Sequence, residues 1–195
     1  MRIVGLVAVA VISGVVWWYI QADNGNGAAS GDGGANGQQQ SSGAFDFTPE
    51  LDSPKVDDDC GAHAYGKTQQ FFTDHPCQQL TRSAFTTQVD GRTVYTSVSV
   101  VAFDNAQDAT DLQDLTQADN TGNVNDLVRE GVLEVDGLKT LSAQGGYASE
   151  VQGNKITIVE SDYDPGNADG GSEDELDDVS SDALRLGGEI TANGG

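Results

Sequence analysis

The chain has 195 residues, with 31 Asp and Glu against 9 Lys and Arg, a formal net charge of −22, 25 glycines, two histidines and two cysteines. This length accommodates one or two ordinary domains. Nine scattered cations make no basic face, so nucleic acid and anionic lipid headgroups are excluded as electrostatic partners.

The charge is unevenly spread. Residues 1–59 carry 2 basic and 8 acidic side chains, residues 60–161 carry 6 and 13, and residues 162–195 carry 1 and 10. From Ile3 to Ile20 there is no charge, and a helix over that stretch would be about 27 Å long, close to the hydrocarbon thickness of a bilayer. Trp17, Trp18 and Tyr19 cluster at its end, where amphipathic rings favour the headgroup level. With Arg2 on one side and Asp23 on the other, residues 1–20 read as a single-pass transmembrane anchor with the lipid bilayer as partner. That orientation places the N-terminus in the cytoplasm and all that follows outside. A cleaved signal peptide is the competing reading, but three bulky aromatics end the apolar run and the nearest small residues are Gly27, Ala28, Ala29 and Ser30.

Residues 21–59 read as a flexible polar and acidic linker. Its glycines (Gly25, Gly27, Gly31, Gly33, Gly37) lack the strand, helix and Gly-Lys-Ser/Thr step of a phosphate-binding loop. Phe45 and Phe47, ahead of Pro49 and Pro54, read as an arm packing on the domain, and Asp57, Asp58 and Asp59 as exposed lead-in. The periodic signals lie in residues 60–161. A helix is expected over 62–74, with Tyr65, Thr68, Phe71 and Phe72 at three-to-four spacing, stopping before His75-Pro76. Strands follow over 80–89 and 92–103 through the turn Asp90-Gly91, with Val94, Thr96, Val98, Val100 and Ala102 on one face. Asp104 or Asn105 caps a second helix carrying Ala106, Ala109, Leu112 and Leu115. A helical turn over 125–130 ending at Gly131, a strand-like run over 132–135 and an Asp-Gly turn at 136–137 come next. A second hairpin pairs 147–152 with 155–161 through Gly153-Asn154. The expected fold class is α+β: after the transmembrane helix, a small domain ordered helix–hairpin–helix–hairpin, its antiparallel sheet carrying helices on one face. Residues 162–195, with a run of acids over 172–178, read as a disordered acidic tail. Within it Leu176, Val179, Ala183, Leu184 and Leu186 leave a faint pattern for a short amphipathic helix on a partner.

Cys60 and Cys77 bracket the first helix, and outside the cytoplasm two cysteines in one domain pair as a disulfide. A zinc site from Cys60, His63, His75 and Cys77 is the alternative; the His-x-Cys half is cramped for a tetrahedral ion. No catalytic, cofactor-binding or metal residue is assigned. Paired cysteines leave no thiol nucleophile, hydrolase and P-loop motifs are absent, and the acids from Asp162 to Glu173 match an EF-hand loop with its Gly-Asn step inverted.

The segment from Cys60 through His63, Tyr65, Gly66, Phe71, Phe72, His75 and Pro76 to Cys77 resembles a group of uncharacterised membrane-anchored or secreted actinobacterial proteins. That resemblance implies a cell-envelope location and transfers no activity. The expectation is therefore a membrane-anchored protein displaying a small extracytoplasmic binding or interaction domain for an envelope protein or small ligand. The alternatives are an envelope hydrolase built on a His/Asp pair and a purely structural envelope protein.

Overall fold

The computed structural model describes residues 43–141 and 145–194. Six strands form one antiparallel sheet: β1 (Thr48–Pro49), β2 (Lys55–Asp57), β3 (Gln79–Val89), β4 (Arg92–Ala102), β5 (Gly146–Gln152) and β6 (Lys155–Tyr163). Their order is β1-β3-β4-β6-β5, with β2 pairing alongside β1 on the outer edge of β3. The β3–β4 hairpin closes through Asp90 (φ 49°) and Gly91 (φ 81°), the doubly left-handed turn whose twist matches that of the strands. Both expected hairpins therefore form, side by side in one sheet through β4 and β6.

Four helices are present among the described residues: α1 (Gly66–Asp74), α2 (Ala106–Thr116), α3 (Glu173–Ala183) and α4 (Leu186–Asn193). They cover both faces of the sheet, which corrects the expectation of one covered face. Register places Val94, Val98 and Val100 of β4 with Phe85 and Val89 of β3 and Val159 and Tyr163 of β6 on one face. There Leu176, Val179, Ala183, Leu186 and Ile190 pack against them. On the opposite face Leu80, Val101, Phe103, Ile156 and Ile158 meet Phe72, Ala109 and Leu112 of α1 and α2.

The acidic tail is the largest correction within the domain: it supplies α3 and α4. Its buried residues 176, 179, 183, 186 and 190 recur at three and four, the spacing of one helical face. The acids that suggest disorder sit in the first turn of α3 as Glu173, Asp174 and Glu175, where the helix dipole favours negative charge. Ser172 and Glu175 form a reciprocal capping box around that turn. Apolar spacing, rather than charge content, decides the outcome.

The expected linker is corrected in its second half. Phe47 is buried against Phe85, and Asp182 of α3 accepts the backbone N–H groups of Ala44 at 3.1 Å and Phe45 at 3.0 Å. Arg185 Nη2 donates to Phe45 O at 2.8 Å. Residues 44–57 thus belong to the domain, as an arm and two edge strands. The anchor expected over residues 1–20, with Ile3, Trp17, Trp18, Tyr19 and Ile20, lies outside the described residues. No helix among the described residues is long and apolar enough to cross a membrane, so the fold class is corrected to a small α+β domain without such an element among them.

The expected helix over 62–74 divides in two. A 3₁₀ turn over Cys60–His63 is followed by extended Tyr65 and then α1. This break shortens the helix and brings Cys60 and Cys77 together in a disulfide, with Cα atoms 6.1 Å apart. Closing a 17-residue separation stabilises a small domain by roughly 3 kcal/mol, in the chain-entropy picture.

Candidate functional site

The α1–α2 face of the sheet changes character along its strands. Beneath the helices it is apolar, but further along it carries Arg82 of β3, Ser97 and Ser99 of β4 and Glu160 of β6, all buried. Register makes Arg82 the neighbour of Ser99, and Ser97 the neighbour of Glu160. The irregular segment 117–141 covers this polar half.

That segment forms the expected helical turn, with Glu130 N donating to Asp126 O at 3.3 Å and Gly131 (φ 67°) ending it, but the strand expected over 132–135 is absent. Asp126 caps that turn: its Oδ1 accepts Val128 N at 3.0 Å and Arg129 N at 2.9 Å, and its Oδ2 accepts the Thr140 hydroxyl at 2.6 Å. Val132 N and Leu133 N then turn back to Leu127 O at 3.0 Å, which takes them out of any strand ladder. Leu127, near its middle, and Leu141, at its end, are fully buried and pin the segment.

Two polar centres lie under it. In the first, Arg82 Nη1 meets Glu130 Oε1 at 2.8 Å and its Nη2 meets Asp57 Oδ2 at 3.1 Å. Arg82 Nη1 also donates to Asn125 O at 3.2 Å. His63 stands between the same carboxylates, Nδ1 2.8 Å from Glu130 and Nε2 3.3 Å from Asp57. Burial raises the Glu130 carboxyl, but Arg82 and His63 outweigh it and hold the group below the usual range. This centre is internally paired and fastens β2 and the 125–130 turn to the sheet.

The second centre opens to solvent as a cleft of about 490 Å³, lined by Tyr65, Thr116, Asn123, Gly146, Tyr147 and Glu160 among others. Its rim is a close backbone crossing. Tyr65 N donates to Asn123 O at 3.0 Å, and Thr68 N to Thr121 O at 3.2 Å. Gly122 (φ +85°) sits so close to Tyr65 that a Cβ there would lie 2.1 Å from its carbonyl oxygen, so no larger residue fits without moving the rim. The Thr121 hydroxyl donates to Leu115 O at 2.6 Å and Ala118 O at 2.7 Å, closing the end of α2. Opposite, the Tyr147 hydroxyl donates to Thr116 Oγ1 at 2.9 Å, and Arg129 Cζ lies 4.0 Å from the Tyr65 ring centroid.

Glu160 is the floor of this cleft and only 5% exposed. Asn123 Nδ2 donates to its Oε1 at 2.8 Å; its Oε2 has no hydrogen-bond partner among the described residues. Burial and then the Asp126 charge push its carboxyl up to about 8, against the opposing pull of Asn123 and Arg129. At neutral pH it is therefore mainly an uncharged acid able to donate a proton. Ser97 beside it is also buried, and its hydroxyl has no partner. Perturbed carboxyls in clefts are where function concentrates.

The residues that sequence reading singled out for chemistry lie elsewhere. Neither His63 nor His75 is among those lining the cleft. Both nitrogens of His63 face carboxylates; His75 pairs with Asp108 at 2.8 Å and stacks on Phe71. Both sulfurs are consumed by the disulfide, which removes them as zinc ligands. Among the described residues no group of three or more His, Cys, Asp or Glu side chains could hold a metal ion. Asp164 is spent on a turn, accepting Gly166 N at 2.8 Å. Glu160 went unnoticed, although its signal is visible: it continues the buried series Ile156, Ile158 at strand spacing, where an acid is out of place. Comparison of the chain with protein-family models, curated proteins and solved structures yields no match.

Proposed function

We propose that this domain is an extracytoplasmic binding module that takes a small polar ligand into the cleft between Tyr65 and Tyr147. The observation that carries the reading is Glu160: a buried carboxyl at the floor of an open cleft, with one oxygen fixed by Asn123 and the other unpartnered. Desolvating the carboxyl costs stability even with its second oxygen open to the cleft, a cost that function rather than packing explains. The rigid rim, built from backbone hydrogen bonds and a glycine crossing, suits a preformed site. The Cys60–Cys77 disulfide favours an oxidising compartment.

The test is nuclear magnetic resonance on the full-length, isotope-labelled chain with a library of small polar fragments of both charges and none. Hits are expected to shift Tyr65, Asn123, Gly146, Tyr147 and Glu160 together. Fragments that perturb only other surfaces, or none that bind, overturn the reading.

A further inference from the structure

The cleft has a charge character that narrows its ligand. Its lining includes the carboxyls of Asp119 and Glu160 and, among the described residues, no Lys or Arg. Asp126 lies close enough beneath to act on Glu160 through space, and the whole chain carries a formal charge of −22. A field of that sign draws cations toward a cleft and repels phosphates and carboxylates. The walls are aromatic: Tyr65 and Tyr147 both line the space, and the Tyr65 ring already carries the Arg129 guanidinium, so its π-system accepts positive charge.

The unpartnered oxygen of Glu160 supplies the independent pointer. It belongs to a side chain more than nine-tenths buried, yet the atom itself is not among the buried unpartnered ones: it opens to the cleft, where its partner comes from solvent or a ligand. An inorganic ion is disfavoured, since no group of three or more acidic, His or Cys ligands gathers among the described residues; hard cations want six or more oxygens. Resting on the binding-module reading above, we infer that the ligand is a small organic cation, a primary or quaternary ammonium, whose charge is met by Glu160 between the rings of Tyr65 and Tyr147.

Such a cation would return Glu160 to its ionised form. The groups facing that carboxyl are Asp126 and Asn123 from the covering segment, Arg129 over Tyr65, and Tyr147 and Ser97 on neighbouring strands. Binding near neutral pH therefore releases up to one proton, and affinity rises with pH until Glu160 is ionised without help.

The experiment is isothermal titration of the full chain with n-butylammonium, tetramethylammonium, n-butanol and butyrate, at pH 6, 7 and 9, in two buffers of different ionisation enthalpy. Saturable binding of an ammonium probe is expected, with proton release at pH 7 and little at pH 9. Glu160→Gln keeps the shape and the Asn123 hydrogen bond, and should weaken ammonium binding by about tenfold or more, the scale of one lost charged hydrogen bond. The wild-type pH series provides a second readout that needs no variant. The inference is overturned if no ammonium probe binds, if n-butanol binds as tightly as n-butylammonium, or if Glu160→Gln leaves affinity unchanged. Binding of butanol or butyrate in the cleft without any ammonium binding would overturn the cation while sparing the binding module; a cleft that no probe perturbs removes both.

Discussion

Arg82 reaches from β3 to Glu130 in the covering segment, with Nη1 and Oε1 2.8 Å apart. Among the described residues it is the largest fully buried side chain, and Asp57, Glu130 and the Asn125 carbonyl meet its two terminal nitrogens, while Nε has no partner. Removing the guanidinium leaves Asp57 and Glu130 with only His63 between them. Arg82→Met should therefore cost about 3–5 kcal/mol, the usual consequence of breaking a buried pair from one side. Urea unfolding measures this, and a loss below about 1 kcal/mol would show that the network is not what fastens the segment.

Glu160 makes the domain's stability fall with pH. Its folded pKa, raised from 4.5 to about 8, lies above its unfolded value, so between these limits the folded state holds a proton that the unfolded chain has lost. The stabilisation is fully present below about pH 4.5 and is lost as pH rises through about 8, at roughly 1 kcal/mol per pH unit between them. Glu160→Gln should abolish this slope and leave the variant more stable than wild type at pH 9. Thermal unfolding at pH 5, 7 and 9 checks it; parallel curves for the two proteins would contradict it.

Asp182 acts in the opposite sense. Burial raises its carboxyl, yet the Phe45 and Ala44 amides and Arg185 outweigh this and hold it below the ordinary carboxylate range. Its contribution is present above the unfolded value of 3.8 and disappears as pH falls through the lower folded one. Asp182→Ala strands two amides and should cost about 1–3 kcal/mol, loosening residues 44–49 first. Limited proteolysis would cut that arm in the variant at a protease concentration that spares wild type; equal resistance would refute the clasp.

Leu186 distinguishes a packed C-terminal region from a solvated one. It is fully buried under α4 on the face shared by Val94, Val98 and Val159. Leu186→Ala should lower unfolding free energy by about 2–5 kcal/mol, as core leucine truncations do. A change near zero in chemical denaturation would return residues 173–193 to the status of a tail.

Local patterns reported the sheet faithfully. Alternation in Val94, Val98 and Val100, the Asp90-Gly91 turn and the Asn105 cap each depend on nearby residues, and each is realised. Tertiary context decided the remainder. The acids at 173–175 look like disorder when composition is averaged, but they are the start of a helix whose apolar stripe finds the sheet. Over 125–131 the expected helical turn forms, capped by Asp126 and ended at Gly131, but the strand expected over 132–135 is lost because Val132 N and Leu133 N turn back to Leu127 O, a closure no window of periodicity reveals. The candidate site was least legible, because Tyr65, Asn123, Tyr147 and Glu160 meet only through the crossing at Gly122 and the register of β5 with β6. Its one local sign is an acid in step with Ile156 and Ile158.

The hydrogen bond from Phe45 N to Asp182 spans 137 positions of sequence, and this separation dictates an order of assembly. A chain made from its N-terminus completes both hairpins before α3 and α4 exist. Val94, Val98 and Val159 then have no cover, and the arm at Phe45 and Phe47 has no clasp, until residues 176–190 have emerged. Long-range closure of this kind is slow, and uncovered apolar sheet surface invites association. Chains cut short before Leu176 are thus the form of this protein most exposed to aggregation.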